Sequence, residues 1–182
     1  MLNVIRKKKV LAVEGDDEIN FFDSLLKYLG ISDIEIRKVG GKDQFKNKLP
    51  ALVESSGFFD NVEVFAVIRD ANADANAAFA SVKNILKKLN LNPPTQMNKF
   101  ANNGIKLGVF IMPGNSAEGM LEDLCLNTVQ QHPKMTCVNE FIECIFKLED
   151  PPKNLAKAKA QSFLSAIPII ANSIGIGAKK GY

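Results

Sequence analysis

The sequence predicts an α/β domain built on a mainly parallel four-stranded sheet flanked by helices. Three observations predict it. Short apolar runs of strand character alternate four times with segments of helical periodicity. The longest apolar run, through Phe65-Ala66-Val67-Ile68, reads as a strand buried on both faces. It stops abruptly in Asp70-Ala71-Asn72-Ala73-Asp74, so oxygen ligands stand at the rim of the sheet. The competing local reading of that rim is an Asx-rich turn followed by a helix N-cap.

Taken in order, Lys9-Val10-Leu11-Ala12-Val13 is the first strand, ended by Glu14-Gly15-Asp16-Asp17. Ile19, Phe21, Phe22, Leu25, Leu26 and Leu29 then recur at helical spacing, and Gly30 stops the pattern at the C′ position. The acidic start of this helix suits its dipole. Ile34 to Val39 is a second strand near an edge, closed by Gly40-Gly41-Lys42-Asp43. Phe45, Leu49, Leu52 and Val53 share one helical face, with Pro50 expected to kink or break that helix. Val62 to Ile68 is the third strand. Phe79, Val82, Ile85, Leu86 and Leu89 mark the helix after Asp74.

Asn92 to Gly104, with Pro93-Pro94 and several asparagines, reads as a loop. Leu107 to Met112 is the fourth strand, stopped by Pro113-Gly114. Ser116 is placed to cap a helix carrying Met120, Leu121, Leu124 and Cys125. Further helices are expected around Phe141 to Phe146 and from Asn154 to Ile167, with a packed tail from Pro168 to Tyr182. The reading is one α/β domain over residues 1–126 and a helical extension over 127–182 packed on it.

Composition bounds the function classes. The 182 residues are 46% hydrophobic and 24% charged, which is ordinary for a globular chain. A net charge of +3 does not by itself imply nucleic-acid binding, and the basic run Arg6-Lys7-Lys8-Lys9 has a solvated terminus as its commoner explanation. Cys125, Cys137 and Cys144 match no zinc pattern, and their odd number argues against a disulfide framework. Cys125 and Cys144 read as core thiols. With His132 the single histidine, a histidine-rich metal site is excluded. No run reaches the length of a membrane span and no signal peptide is evident, so a cytoplasmic protein without membrane association is expected.

Right-handed crossovers place the ends of parallel strands along one edge, where ligands of open α/β sheets bind. Four strand ends meet there. They supply Glu14, Asp17 and Glu18; Gly41 and Lys42; Asp70, Asn72 and Asp74; and Gly114, Asn115 and Ser116, followed by Glu118, Glu122 and Asp123 on one expected helix. A like-charge pair at about 4 Å costs roughly 4 kcal/mol at an effective dielectric of about 20. A divalent cation turns that cost into binding energy. Lys42 is the candidate phosphate contact beside Gly41 and Gly15, although the full phosphate-loop spacing is absent.

Val13-Glu14-Gly15 after a first strand, and an Asp-X-Asp-like group after a later one, resemble the Toprim domain of topoisomerases, bacterial primases, RecR proteins and overcoming-lysogenization-defect nucleases. The strings Val-Glu-Gly-Asp-Asp-Glu, Val-Gly-Gly-Lys-Asp and Ile-Arg-Asp-Ala-Asn-Ala-Asp, with Met112-Pro113-Gly114 and Leu121-Glu122-Asp123-Leu124, are similar to small stand-alone Toprim-like proteins. The resemblance spans about residues 8 to 126. It implies a Rossmann-like fold and Mg²⁺-dependent chemistry on phosphodiesters or nucleotides, with Mn²⁺ as an alternative.

By position, it implies Glu14 as general acid/base or metal ligand and Asp70 as principal ligand. Glu18 and Glu122 resemble additional ligands of the nuclease branch. Asn72 stands where the family usually has its second Asp and brings no charge, so affinity would fall unless Asp74 or Glu122 compensates. Tyr28 and Tyr182 are the only tyrosines, which argues against a covalent tyrosyl–DNA intermediate. The expected function is a nuclease or phosphoester hydrolase, with Glu14 and Lys42 as catalytic candidates. A non-catalytic binding module is the rival, and a protein partner or self-association is left open.

Overall fold

The computed structural model describes residues 4–181; Tyr182 and the side chain of Lys42 lie outside the described residues. Strands β1 (Lys9–Val13), β2 (Ile34–Lys38), β3 (Val64–Asp70), β4 (Lys99–Asn103) and β5 (Ile105–Met112) form one sheet in the order β2-β1-β3-β5-β4. The first three and β5 are mutually parallel; β4 lies antiparallel on β5 at the edge. The sheet therefore has five strands rather than the four expected. The additional strand falls in the stretch read as a loop. Its sequence, Lys-Phe-Ala-Asn-Asn, has one large apolar residue and no buried face, so period-2 hydrophobicity does not reveal it. Its tight connection to β5 turns on Gly104 at φ 86°.

β3 runs two residues further than expected, so Asp70 is its last residue and pairs with Met112. Helix α1 (Asp16–Tyr28) ends with Gly30 at φ 69°, as the C′ glycine requires. Helix α2 (Lys42–Val53) contains Pro50 without breaking. Its apolar face explains why: Phe45, Leu49 and Val53 are essentially fully buried and hold the helix on the sheet despite the missing N–H. A short α3 (Phe58–Asn61) precedes β3, and α4 (Ala75–Lys88) follows it.

Beyond β5 come α5 (Leu121–Thr128), α6 (Lys134–Ile145), α7 (Leu155–Ser165) and α8 (Ile174–Lys179). Two apolar clusters cover the two faces of the sheet. On one, Phe45 and Leu49 of α2 and Phe79, Val82 and Leu86 of α4 pack on Phe65 and Val67. On the other, Phe22 of α1, Leu121 of α5, Leu164 of α7 and Ile174 of α8 pack around Val13, Ile68 and Met112. The alternation within β3 sets this division, since successive side chains point to opposite faces.

Helix α8 is tied to α1 by polar contacts. The Asp17 carboxylate accepts hydrogen bonds from Ser173 Oγ and from the Gly175 N–H at 2.9 Å. A Cβ at Gly175 would stand 2.5 Å from the Asp17 carbonyl oxygen, so this close approach admits no side chain. Asp17 is thus engaged in holding α8. Of the cysteines, Cys125 is half-buried while Cys137 and Cys144 are exposed. Cys144 is therefore not a core thiol: α6 buries Met135, Val138 and Ile142 and turns position 144 to solvent. The N-terminal basic run is engaged locally, through Lys8–Glu63 and Lys9–Asp33 ion pairs and Lys7 bonds to the carbonyls of Ser32 and Ile34. No helix among the described residues is long and apolar enough to cross a membrane.

Candidate functional site

From β1 the chain passes through α1 to β2 on one side, then returns past β1 to β3 on the other. The carboxyl ends of β1 and β3 thus flank the point where the strand order reverses, which is where open α/β sheets bind ligands. Glu14 directly follows β1 and Asp70 ends β3. A cavity of about 660 Å³ opens between them, lined by Glu14, Gly15, Glu18, Gly41, Asp70, Asn72 and Glu122. Seven of the residues given roles from the sequence therefore share one cavity wall.

Asp74 is the N-cap of α4, its carboxylate accepting the Ala77 N–H at 3.0 Å. It lines an adjoining cavity of about 380 Å³ with Asp43, Lys46 and Arg69, and this cavity shares Asp70 and Asn72 with the first. The Asx-turn and cap reading thus describes the end of the motif, and the carboxyl-edge reading its beginning. Lys42 is the first residue of α2. The Ser116 expectation is corrected: α5 starts only at Leu121, and Ser116 Oγ accepts merely the nearby Glu118 N–H at 3.3 Å. Glu118 precedes the helix and does not share a helical face with Glu122. The cap of α5 comes instead from Asp123, which accepts the Met120 N–H at 2.9 Å.

The carboxylates interact through charge. Asp70 Oδ1 accepts the Leu121 N–H at 3.1 Å, which fixes it at the start of α5. Burial, and then the charges of Glu14, Glu18 and Glu122, push its pKa up to about 8. Burial also raises the Glu14 carboxyl above the ordinary range, against the opposing pull of Arg69. Glu122 is raised by burial, with Lys157 opposing. Glu18 folds back against the turn: a Cβ at Gly15 would lie 2.7 Å from Glu18 Oε2, so only glycine leaves that carboxylate its place.

Arg69 is a residue that the sequence reading passed over. Its signal was a charge inside a run otherwise read as buried on both faces. Its side chain is 6% exposed, its guanidinium stands 4.9 Å over the Phe45 ring, and its Nε lies 3.3 Å from Glu14 Oε1. The pair is close but not aligned for hydrogen bonding. Glu14 Oε1 and the Nε and Nη1 of Arg69 are buried without hydrogen-bond partners among the described residues. Lys157, on α7, also reaches this cavity, and nothing in the sequence pattern signals that.

Asn72 sits at φ 53°, in the left-handed region. Its N–H donates to the Gly119 carbonyl and its carbonyl accepts the Gly119 N–H, both at 2.8 Å. Asn is among the few non-glycine residues that occupy this region readily. Backbone geometry thus gives a local reason for an amide at position 72.

The donors around the cavity are carboxylate and amide oxygens, the kind a hard divalent cation takes, and Glu14 Oε1 is buried without a hydrogen bond among the described residues. The fit in kind is accompanied by a looser fit in position. Among the described residues no three His, Cys, Asp or Glu side chains are gathered closely enough to hold a metal ion.

The fold and edge together define an α/β protein of Rossmann-like type with an acidic cavity at its switch point. The chain belongs to the family described as protein of unknown function, DUF3226, whose model matches residues 8–175. No curated protein matches the chain. Among solved structures, the C-terminal region of the Xanthomonas campestris pv. campestris OLD protein is similar at 14% identity and a TM-score of 0.44, over 97% of this chain and 80% of that one.

Proposed function

We propose that this is a Toprim-type, divalent-metal-dependent protein that cleaves phosphodiester or phosphoester bonds in nucleic acid or nucleotides, with Mg²⁺ as cofactor and Mn²⁺ as an alternative. The observation that carries the reading is Asp70, a largely buried carboxylate at the switch point whose pKa is pushed up to about 8 by burial first and then by the charges of Glu14, Glu18 and Glu122. A fold keeps such like charges together at a cost to stability, and sites of chemistry are where that cost is usually found.

Asp70, Glu18 and Glu122 would hold the cation, with Asn72 adding a neutral oxygen. When bound, a divalent metal supplies an activated water and charge stabilisation on the phosphoryl oxygens. Glu14 is the group that accepts or returns a proton: burial raises its pKa and Arg69 restrains the rise. The Arg69 guanidinium, held over the Phe45 ring, places a positive charge beside that carboxylate. Lys157, on the cavity wall, offers positive charge to a phosphate beside Gly41, the role that the sequence reading gives to Lys42.

One rival reading is favoured by specific observations: a binding module without turnover. The amide at Asn72 and the absence, among the described residues, of a gathered three-carboxylate group support it. Incubation with single- and double-stranded nucleic acid and with nucleotides, in Mg²⁺, Mn²⁺ or chelator, separates the two. Metal-dependent cleavage that is lost in Glu14→Gln and in Asp70→Ala is the expected result. Cleavage surviving both substitutions would overturn the site assignment, and metal binding without cleavage of any probe would establish the binding module.

A further inference from the structure

Next to the carboxylate cavity, and sharing Asn72 and Asn154 with it, a second cavity of about 660 Å³ opens among α5, α6 and the start of α7. Amides wall it. Besides the two shared asparagines these are Asn127 at the end of α5, Gln130 just after it, and Asn139 on α6. Gln130 Nε2 donates to Asn127 Oδ1 at 2.8 Å. That pairing leaves Asn127 Nδ2 as a donor and Gln130 Oε1 as an acceptor, both without partners among the described residues. Leu126 and the buried Met135 add apolar surface.

The positive charge lies on one short stretch. Lys153 and Lys159 line the amide cavity and Lys157 the carboxylate cavity, and none of the three forms an ion pair among the described residues. Glu118 and Asp123 also border the amide cavity, but the Asp123 carboxylate is engaged by the Met120 N–H. An adjacent donor and acceptor on paired amides is the pattern that reads a base edge, and apolar side chains receive base faces. Free lysines beside them suit a phosphate backbone. The volume is within the range of pockets that enclose small organic groups.

We propose that the amide cavity takes one unpaired nucleotide of a single-stranded nucleic acid. Its base lies among Asn127, Gln130 and Asn139, its phosphates run along Lys153, Lys157 and Lys159, and the next phosphodiester reaches the carboxylates past Asn72 and Asn154. A base inside a duplex has its edge paired and its faces stacked, so the cavity selects single strands or frayed ends. The inference rests on the reading of the carboxylate cavity as a phosphodiester site.

The test is fluorescence anisotropy in metal-free buffer containing EDTA, with three probes: a labelled single-stranded DNA, the same strand carrying abasic residues, and its duplex. The base-bearing single strand is expected to bind about tenfold or more tightly than either other probe. The combined Asn127→Ala, Gln130→Ala and Asn139→Ala variant is expected to lose that preference while still binding the abasic strand. Lys153→Glu with Lys159→Glu should weaken base-bearing and abasic strands alike.

Thermal melts of each variant establish that it folds. Equal affinity for the abasic strand or the duplex would overturn the inference, as would a base preference that survives the amide substitutions in folded protein. Turnover is read separately in Mg²⁺. Base-dependent binding without cleavage counts against the catalytic reading alone, and cleavage without base-dependent binding counts against this inference alone.

Discussion

The interior of β3 and its last residue obey opposite rules. Phe65 and Val67 are fully buried among apolar side chains of α2 and α4, where every neighbour lowers the free energy of the fold. Asp70, one step past Arg69, is also largely buried, but its neighbours are three further acidic side chains and its pKa is about 8. One strand thus carries consistent apolar packing in its interior and a local conflict at its end. The contrast teaches where stability is invested and where it is given up. The rim spends what the interior supplies, and a cation is the natural agent to relieve it.

The comparison breaks most sharply in the interior. Phe65→Ala removes a ring packed edge-on to Phe58 and is expected to cost about 3–5 kcal/mol in chemical denaturation. A much smaller loss would mean that this core relaxes around the gap and is not the scaffold for the rim. At the rim the sign reverses. Asp70→Asn keeps the shape and removes the charge, so the metal-free variant should be more stable than the parent at pH 8, by on the order of 2 kcal/mol. A destabilised variant would show that Asp70 is a structural carboxylate.

The pH profile sharpens the same point. The folded pKa of Asp70, about 8, stands above its ordinary value of 3.8. Below the lower value both states are protonated and no penalty exists. As pH rises through the window up to about 8 the unfolded chain ionises first, and stability falls. Glu14 and Glu122 are raised too and act with the same sign. Metal-free protein should therefore melt at lower temperature at pH 8 than at pH 5, and Asp70→Asn should flatten that slope. Divalent metal at about 100 times its Kd should restore roughly 2.7 kcal/mol to the parent at pH 8. The smallest effect belongs to Asp74. Asp74→Ala should cost about 1 kcal/mol by removing the cap of α4, with metal affinity unchanged.

Much of this was legible in the sequence, and for physical reasons. β1 and the C′ glycine of α1 stand where apolar runs and turn residues put them. The gathering of Glu14, Glu18, Asp70 and Glu122 at one edge follows from parallel topology alone. What escaped has causes as definite. β4 is exposed and mostly polar, so no hydrophobic period marks it. Pro50 is tolerated because three buried side chains hold α2 on the sheet. The start of α5 was misplaced because Ser116 is a good capping residue in a segment that does not become helical until Leu121. Lys157 reaches the site from α7, a contact at long sequence separation that local pattern does not encode. Asp74 shows the limit of a motif: of three alternating polar residues along one cavity, the last is engaged as a helix cap.

The central claim is that Glu18, Asp70 and Glu122 share one divalent-cation site beside Glu14. Calorimetric titration with Mn²⁺ at pH 7, run in buffers of different ionisation enthalpy, tests it most directly. The account predicts a single site whose binding releases protons, because Asp70 is largely protonated in the metal-free protein, and predicts loss of that binding in Asp70→Asn. Metal binding of unchanged affinity in Asp70→Asn, or no binding by the parent protein, would contradict it.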